Sequence, residues 1–498
     1  MILGINGIIA GRGVPASTLN TGLFAVYNAE LNANDSFGSN NGTAVGGLTY
    51  TTGKIGTAFQ FNGTNAYVSL PNSSGQFNFT GDFSVSMWFR SSNLSTSRYA
   101  IGNYKSVSGY GYGWILHYSQ GNNGFTFSVR NGSVINEVGK SQIISINTWY
   151  HVVAVRKMGQ IHKLYVNGVD VLANQTDGNV NNIATYTANQ PMNLGGLSDI
   201  SLPELCDLDG VNMWNRALTP TEVTELYRCG SGIFYPYVSL PTLDSDACAF
   251  IGAASITDTT QQSAINQLVL DLKTANIWTK MKALYPFVGG TASSHRFNLK
   301  APTTNASDFY LIPYGGITHS SNGVQFDGAT GYFDTQLIPL SILTQTSSHL
   351  CYYSRTDSTN ANDMGGQDDI SPNGQFYIGA DKTNASYSIK NIDSMRVVVA
   401  NTNTQGMFLA TRTASNSLKG YKNGVLKGSN TNTTGAGGMN IPATIGGFNY
   451  RNSGGAISKF YGNKQFAFAS IGDGLTDSEV TAFYNAVQTF NTTLGRQV

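Results

Sequence analysis

Carboxylates are the side chains to examine first for catalysis, because glycoside hydrolysis needs two of them flanking the scissile bond. The chain has only six glutamates, which are Glu30, Glu137, Glu204, Glu222, Glu225 and Glu479. No pair shares a predicted strand, and Glu222 and Glu225 fall on a short predicted helix. The six histidines lack the HExxH spacing of metalloproteases, and Gly-x-Ser-x-Gly does not occur. We therefore expect a protein that is not an enzyme, with a glycan-cleaving enzyme as the weaker alternative.

Aromatic residues offer a second kind of chemistry, the stacking of rings on sugar faces. Residues 108–114 read Ser-Gly-Tyr-Gly-Tyr-Gly-Trp. Tyrosine rings held between glycines can stack on a sugar while nearby Asn and Asp side chains bind its hydroxyls. Tyr110 and Tyr112 are therefore the candidate glycan-binding residues, and the alternative is a structural role for both.

Charge and cysteine usage limit the possible partners. The net charge is +1, only 11% of residues are charged and no basic run occurs, so nucleic-acid binding is not expected. No apolar segment is long enough to span a membrane. The four cysteines show neither CxxC pairs nor zinc-finger spacing; they are Cys206, Cys229, Cys248 and Cys351. We expect free thiols in a protein made in a reducing compartment, and a Cys206–Cys229 bridge is the alternative.

The chain also repeats itself, which indicates one fold used twice. Three segments recur in the same order: 60–68 matches 325–333, 164–169 matches 420–425, and 218–223 matches 475–480. The first pair predicts a hairpin with a glycine-containing turn, and the second an Asn-Gly hairpin of type I′. In both copies of the third segment, a Thr is followed three residues later by Glu, which is the capping box that opens a helix.

A linker and one long helix separate the two copies. Residues 236–241, Pro-Tyr-Val-Ser-Leu-Pro, are typical of an extended linker. Asp258 and Gln261 then predict a capping box, and apolar residues follow at helical spacing as far as Leu284. Pro286 ends this predicted helix.

Seven blocks of the first half carry a family resemblance. They are residues 22–27, 34–38, 41–43, 54–61, 83–89, 149–153 and 208–218. In this order they resemble the laminin G-like jelly-roll family in its concanavalin A-like form. The resemblance implies two antiparallel sheets packed face to face, in a class whose members bind glycans or proteins.

The same resemblance implies a metal position, since members often hold a structural ion where the first and last strands meet. Glu30, Asp35 and Asp209 occupy the acidic positions that would line it, and oxygen ligands of this kind suit calcium. The alternative is three solvated carboxylates. The spacing of the helix motif places Asp209 opposite Phe466 in the second copy, which is therefore expected to lack the ion.

Residues 244–498 resemble a module of bacteriophage structural proteins, especially of phages that infect Bacteroidetes. The stretches that carry this resemblance are residues 244–247, 256–266, 277–290 and 466–476. It implies a virion component, namely a fibre, a tail protein or a capsid decoration. Such a protein is assembled in the host cytoplasm and exposed on the particle surface, and it is commonly a homo-oligomer such as a trimer.

The predicted fold is all-β, with two concanavalin A-like jelly-roll sandwiches and a short helical insert. Its expected divisions are an arm at 1–20, a first domain at 21–230, a linker with an amphipathic helix at 231–284, and a second domain at 285–498. The apolar, glycine-rich arm is expected to dock on other virion proteins, and the alternative is an extra strand on its own sandwich. Host-surface glycans are the expected external partner. A bacterial glycan-binding adhesin is the alternative function.

Overall fold

The computed structural model describes residues 17–107, 110–132, 134–172, 191–197, 204–238, 240–344, 346–370, 374–391, 396–432 and 438–498. The chain divides into two compact units, residues 1–242 and 243–498. Both are built mainly from antiparallel β-sheets. Within the described ranges, no helix is both long and apolar enough to cross a membrane.

The first unit consists of strands followed by one short helix. Its elements are β1 (Leu23–Tyr27), β2 (Thr43–Val45), β3 (Thr49–Thr52), β4 (Thr57–Gln60), β5 (Tyr67–Leu70), β6 (Phe83–Arg90), β7 (Arg98–Gly102), β8 (Lys105–Val107), β9 (Tyr110–Ser119), β10 (Gly124–Gly132), β11 (Val134–Gly139), β12 (Tyr150–Arg156), β13 (Lys163–Val166), β14 (Val169–Asp170), β15 (Met192–Leu194), β16 (Asp207–Trp214) and α1 (Pro220–Tyr227). Single 3-10 turns lie at Thr18–Asn20 and Arg228–Gly230.

Two sheets form the sandwich of the first unit. Sheet A has the order β14-β13-β12-β6-β16-β4-β3, with β1 also paired to β16. Sheet B has the order β11-β10-β9-β7-β15-β5-β2, with β8 paired to β9. The buried core draws Phe59, Met87 and Leu208 from sheet A, and Leu116 and Phe127 from sheet B. Alternate residues of these strands therefore face a common interior, which is the pattern of a β-sandwich.

The second unit begins with two helices before its first strand. Its elements are α2 (Ser245–Ala253), α3 (Thr259–Thr274), β17 (Met281–Tyr285), β18 (Ile312–Tyr314), β19 (Ile317–Ser320), β20 (Gly323–Phe326), β21 (Tyr332–Asp334), α4 (Pro339–Ile342), β22 (Ser348–Ser354), β23 (Met364–Asp368), β24 (Gly374–Ala380), β25 (Asn384–Asn391), β26 (Val397–Ala400), β27 (Gly406–Ala414), β28 (Ser417–Lys422), β29 (Val425–Asn430), β30 (Thr444–Ile445), β31 (Gly447–Arg451), β32 (Ile457–Tyr461), β33 (Gln465–Gly472) and α5 (Asp477–Thr493). Its 3-10 turns lie at Trp278–Lys280, Ser294–Arg296 and Ala306–Asp308.

The two units share one strand order. Sheet C runs β19-β20-β33-β22-β27-β28-β29, with β17 paired to β33, which is the order of sheet A position by position. Sheet D runs β18-β21-β30-β23-β24-β25-β26 and repeats sheet B. The second unit adds the hairpin β31–β32, whose first strand pairs in parallel with β23. The all-β prediction of two concanavalin A-like sandwiches is confirmed.

The Asn-Gly turns have the backbone that their sequence predicts. Asn167 and Gly168 have φ of 52° and 77°, and Asn423 and Gly424 have φ of 51° and 73°. Both residues of a type I′ turn need positive φ, which Asn and Gly adopt at low cost. These turns join β13 to β14 and β28 to β29.

The first repeated motif is not a hairpin, contrary to expectation. Its two strands, β4 and β5, belong to opposite sheets, as do β20 and β21. The Asn62 side chain explains the turn, since its Oδ1 accepts from the N–H groups of Thr64, Asn65 and Ala66. Asp327 makes the same bonds in the second unit. This local loop replaces strand pairing and directs the chain from one sheet to the other.

The helix caps agree with the sequence, but the long helix is shorter than predicted. Thr219 and Thr476 both form complete capping boxes, with Glu222 and Glu479. Asp258 caps α3, but Gln261 Oε1 accepts from the Gly289 N–H instead of completing a box. The helix ends at Thr274, and Met281–Tyr285 form a strand at the edge of β33. Pairing with β33 therefore outweighs the helical spacing of residues 277–284.

Segments expected to lie outside the sandwiches are divided between the two units. Leu19 is buried and its carbonyl accepts from Trp214 Nε1 at 2.7 Å, so residues 17–20 of the predicted arm pack on the first unit. Residues 1–16, the rest of that arm, lie outside the described residues. Of the predicted linker, Tyr237 also packs on Trp214, while α3 contacts α5 in the second unit.

The expectation of four free thiols is wrong for two of them. Cys206 and Cys351 are free and buried. Cys229 and Cys248 are not free thiols, since each is in a disulfide. Sequence spacing could not reveal this, because a disulfide depends on the separation of the Cα atoms in space.

Candidate glycan-binding face and cation site

The outward side of sheet B carries a row of polar and aromatic side chains. Strand register separates it from the core: Trp114 pairs with Val129 on the inner side, while Ile115 pairs with Ser128 on the outer side. We call the outward row the polar face of sheet B and define it by Tyr99, Tyr104, His117, Ser128, Arg130 and Glu137. These residues come from β7, β9, β10 and β11 and from the residue that precedes β8.

Arg130 organises one part of the polar face. Its Nε donates to Ser128 Oγ at 2.8 Å, and its Nη2 donates to Glu137 Oε2 at 2.6 Å. The guanidinium also lies 5.6 Å from the centre of the Tyr104 ring. A fixed guanidinium beside a carboxylate presents donors and acceptors together, which is the pattern that binds vicinal hydroxyls.

Tyr99 and His117 form the aromatic part of the polar face. Their rings stack with centres 5.2 Å apart and an angle of 28° between their planes. Burial lowers the pKa of His117 to about 4, so the imidazole is neutral at pH 7. Its Nδ1 has no hydrogen-bond partner in the described part of the chain. That nitrogen is buried, so His117 contributes the face of its ring and not a hydrogen bond to this part of the polar face.

The predicted glycan-binding tyrosines lie at the end of β9. Tyr110 pairs with Val107 of β8, and its side chain lies outside the described residues. Tyr112 is half-buried and pairs with Asn131, which places it on the same side of β9 as Trp114. Tyr112 therefore does not belong to the polar face of sheet B.

Asp209 is the most buried of the three predicted calcium ligands. Its Oδ2 accepts from the N–H groups of Lys54 (2.7 Å) and Ile55 (3.2 Å). Its Oδ1 is buried and has no hydrogen-bond partner among the described residues. Burial raises the pKa of Asp209 to about 8, and the charge of Glu30 adds to the increase. A buried carboxylate oxygen without a partner is a position that a cation would satisfy.

Glu30 approaches the same loop as Asp209. Its carboxylate lies 3.4 Å from the Thr57 N–H. A Cβ on Gly56 would lie 2.0 Å from Glu30 Oε1, and one on Gly53 would lie 2.5 Å from Asp209 Oδ2. Glycine is therefore required at both positions for the two carboxylates to reach this loop.

Asp35 has a different role. Its Oδ1 accepts from the N–H groups of Val26, Phe37 and Gly38, and its Oδ2 accepts from Asn40. These bonds occupy both oxygens and hold the loop after β1. Across the described ranges, no three His, Cys, Asp or Glu side chains form a metal-binding group.

The second unit has no carboxylate equivalent to Asp209. Asp207 pairs with Gln60, and Gln465 pairs with Gln325 in the matching strands. Counting two residues onward places Ala467, and not Phe466, opposite Asp209. Alignment on the helix motif gave a counterpart of Asp209 that is wrong by one residue, because the two copies differ by one residue in length between the last strand and the helix.

The residues of the polar face were not identified from the sequence. Tyr99, His117 and Arg130 are isolated polar residues in apolar strands, and only strand pairing brings them together. Alternation within β10, where Phe127 and Val129 face the core, was the available signal for an outward Ser128 and Arg130.

Comparison with known proteins supports the fold of the first unit. Residues 62–224 match a Laminin G family described as the Concanavalin A-like lectin/glucanases superfamily. No curated protein sequence matches the chain. The matched region is therefore similar to that superfamily, in agreement with the β-sandwich of the first unit.

Solved structures resemble parts of the chain at low identity. The binding domain of Paraclostridial Mosquitocidal Protein 1 is 18% identical with a TM-score of 0.34, covering 42% of this chain and 52% of its own. Domain 4 of AbnA, a GH43 extracellular arabinanase from Geobacillus stearothermophilus in complex with arabinotriose, is 23% identical with a TM-score of 0.30, covering 41% and 96%. Trypanosoma rangeli sialidase in complex with sialic acid is 18% identical with a TM-score of 0.33, covering 44% and 35%. The chain thus spans about half of the mosquitocidal domain, and likenesses this weak carry no argument about activity.

Proposed function

We propose that this chain is a non-enzymatic virion structural protein, a fibre, tail or capsid decoration protein, that presents lectin-like domains to host-surface glycans. The observation that carries glycan binding is the polar face of sheet B, where a stacked Tyr99–His117 pair lies in the same row as the Arg130–Glu137 ion pair. The virion assignment rests on the resemblance of residues 244–498 to phage structural modules. A homo-oligomer, such as a trimer, is part of the proposal.

A binding role suits this face better than hydrolysis. Glu137 Oε2 lies 2.6 Å from Arg130 Nη2, so an ion pair holds this side chain in place. A glycosidase needs one protonated carboxyl as general acid and a second carboxylate across the bond. The ion pair holds Glu137 as a hydroxyl acceptor, which is the role of a binding residue.

The glycan-binding proposal is tested with the full chain on an array of host-surface glycans. We expect Arg130→Gln to weaken binding by about tenfold, because hydrogen bonds to a charged group are lost. Lys163→Gln is the matched control, since Lys163 forms an exposed ion pair with Asp170 elsewhere in the unit. Equal binding by the wild type and Arg130→Gln would contradict this site, and failure to bind any glycan would contradict the function.

The virion proposal is tested separately by mass spectrometry of purified particles. We expect peptides from both units in particles freed of soluble protein. If this chain is absent from purified virions, the assignment fails while glycan binding still stands.

We also propose a structural calcium ion held by Asp209 and Glu30, with Asp35 excluded from the ligand set. The ion would neutralise two carboxylates that both approach the loop at residues 53–57. At a calcium concentration of 100 times Kd, such a site stabilises the fold by about 2.7 kcal/mol. We expect calcium to raise Tm in the wild type but not in Asp209→Asn. Asp35→Asn is the control; it should lower Tm yet keep the calcium response.

A further inference from the structure

A cavity of about 290 Å³ opens at the end of β6, away from the polar face of sheet B. Its polar lining includes Arg90, Asp207, Gln60, Thr49 and Ser92. These residues come from the ends of β3, β4, β6 and β16 in sheet A and from the loop after β6. Their convergence on one space is not explained by the packing of the sandwich core.

The charges of this cavity are balanced within it. Arg90 Nε donates to Asp207 Oδ2 at 2.8 Å, and Arg90 Nη2 donates to the Thr52 carbonyl at 3.2 Å. The Trp149 ring packs against the guanidinium, with 4.5 Å between the ring centre and Cζ. The ion pair is thus held in place, and the space beside it carries no net charge from this pair. Such a lining suits a neutral ligand with many hydroxyls more than an ion.

In the second unit, the segment after α5 occupies the position that corresponds to this cavity. Arg355 lies opposite Gln465 as Arg90 lies opposite Asp207. There Arg355 Nε donates to the Arg496 carbonyl at 2.9 Å, and Nη1 donates to Gln465 Oε1 at 2.8 Å. The segment that follows the 17-residue α5 therefore covers this arginine.

In the first unit the corresponding helix is shorter, and Arg90 is covered on one side by the Trp149 ring in place of a segment after the helix. Helix α1 has eight residues, and the chain after it packs on Trp88 through Gly232. Asp207, in place of Gln465, draws Arg90 Nε to itself. Thus the first unit has an open cavity where the second has its own C-terminal segment.

We propose that this cavity binds one neutral sugar residue, with Asp207 accepting from its hydroxyls and Arg90 donating to them. The proposal deepens the proposed function, because it places a second glycan contact on the lectin-like domain. Carboxylate, guanidinium, amide and hydroxyl groups together match the alternating donors and acceptors of a pyranose or furanose ring. The cavity is small, which limits it to a single residue of a longer glycan.

The test uses the full chain and six free sugars: glucose, galactose, mannose, arabinose, xylose and N-acetylglucosamine. Ligand-observed saturation-transfer NMR reports which of them bind. We expect at least one to bind, and Ser92→Trp to weaken it by about tenfold or more by filling the cavity from its exposed rim. Asp207→Asn should weaken the same sugar, while Lys163→Gln should bind as the wild type does. Melting curves of each variant check that it is folded.

Each outcome decides between the two sites. Binding that persists in folded Ser92→Trp overturns the cavity proposal, and if Arg130→Gln abolishes that binding, the polar face and the proposed function stand. Loss in Ser92→Trp with retention in Arg130→Gln supports the cavity. If none of the six sugars binds, the cavity proposal is overturned, and the glycan array decides the proposed function independently.

Discussion

Lys464 is a charged residue whose side chain is buried in the interior of the second unit. Its Nζ lies 2.6 and 2.7 Å from the two oxygens of Asp363, and both side chains are almost fully buried. The ammonium also donates to the carbonyls of Asn360 and Ala380, and Tyr352 donates to Asp363. Every charge in this network has a partner, which is the condition under which a buried ion pair is tolerated.

We predict that Lys464→Met destabilises the second unit by about 3–5 kcal/mol, because it leaves the Asp363 carboxylate buried without a counter-charge. Urea unfolding measures the change. The matched control is Lys419→Met, which breaks an exposed pair with Asp477 and should cost less than about 1 kcal/mol. Similar costs for the two variants would show that burial of the charge is not the cause.

Glu204 predicts a pH dependence of stability in the first unit. Burial raises its pKa from 4.5 to about 7, and Arg98, 3.9 Å away, offsets this only in part. Between these pH values the folded state holds the proton more tightly than the unfolded chain. This contribution is fully present below pH 4.5 and is lost as the pH rises to about 7.

We expect Glu204→Gln to remove that part of the pH slope, which amounts to roughly 3 kcal/mol between the two limits. Unfolding free energies of the wild type and the variant at several pH values measure the difference. Other carboxylates titrate in both proteins, so only the difference reports Glu204. If the unfolding free energies of the two proteins change with pH in parallel, Glu204 is not the source of this pH dependence.

Single residues of the candidate sites were only partly predictable from the sequence. Asp209 and Glu30 were named, and both lie at the loop of residues 53–57. Asp35 was named with them because the family resemblance places an acidic residue there, but its oxygens accept from backbone N–H groups instead. The partners of Arg130 lie two residues away at Ser128 and seven away at Glu137, and nothing in the sequence marks that pairing.

At the scale of elements, two helices begin with the same capping box. Thr219 accepts from the Glu222 N–H while Glu222 accepts from the Thr219 N–H, and Thr476 and Glu479 repeat the arrangement. We predict that Thr476→Ala costs about 1 kcal/mol, because one end of α5 loses its side-chain acceptor. Thermal unfolding measures it. Thr481→Ala, an exposed site one turn later, is the control and should change stability by less than about 0.5 kcal/mol. Equal effects would argue against a capping role.

Elements with purely local causes were predictable, and those set by pairing were not. The Asn-Gly turns and the helix caps depend on residues next to each other in the chain. The β4–β5 connection resembles a hairpin because both kinds of loop need glycine and a short polar residue. The apolar residues of β17 have helical spacing in the sequence, but this segment is a strand because it pairs with β33. Tertiary pairing outweighed local spacing at both places.

At the scale of the whole molecule, the boundary at residue 242 predicts how the chain can be divided. Tyr237 is buried against Trp214, and Arg228 Nη1 donates to the Pro241 carbonyl at 2.8 Å. We predict that a fragment of residues 1–242 folds and is more stable than residues 1–236 by about 1.5–3 kcal/mol, the value of one buried aromatic side chain. Thermal unfolding of the two fragments tests this. Identical stability would show that residues 237–242 contribute nothing to the first unit.

The duplication was the most predictable property of the molecule. Three motifs in the same order, with similar separations, predicted two copies of one sandwich. The strand orders of sheets A and C agree at every position. What differs between the copies, such as the length of the last helix and the added β31–β32 hairpin, depends on residues that the shared motifs do not include.

The pairing of the first strand with the last also determines when each domain can complete its fold during synthesis. Leu23 pairs with Trp214, so sheet A cannot be completed until the ribosome has released residue 214. At about 5–20 residues per second, the roughly 190 residues between them take on the order of 10–40 seconds to be made. During that interval β16, the strand that accepts β1, β4 and β6, is missing, and unpaired strand edges remain open to association. The second unit repeats this delay through β17 and β33, and each nascent domain is therefore most vulnerable just before its final strand emerges.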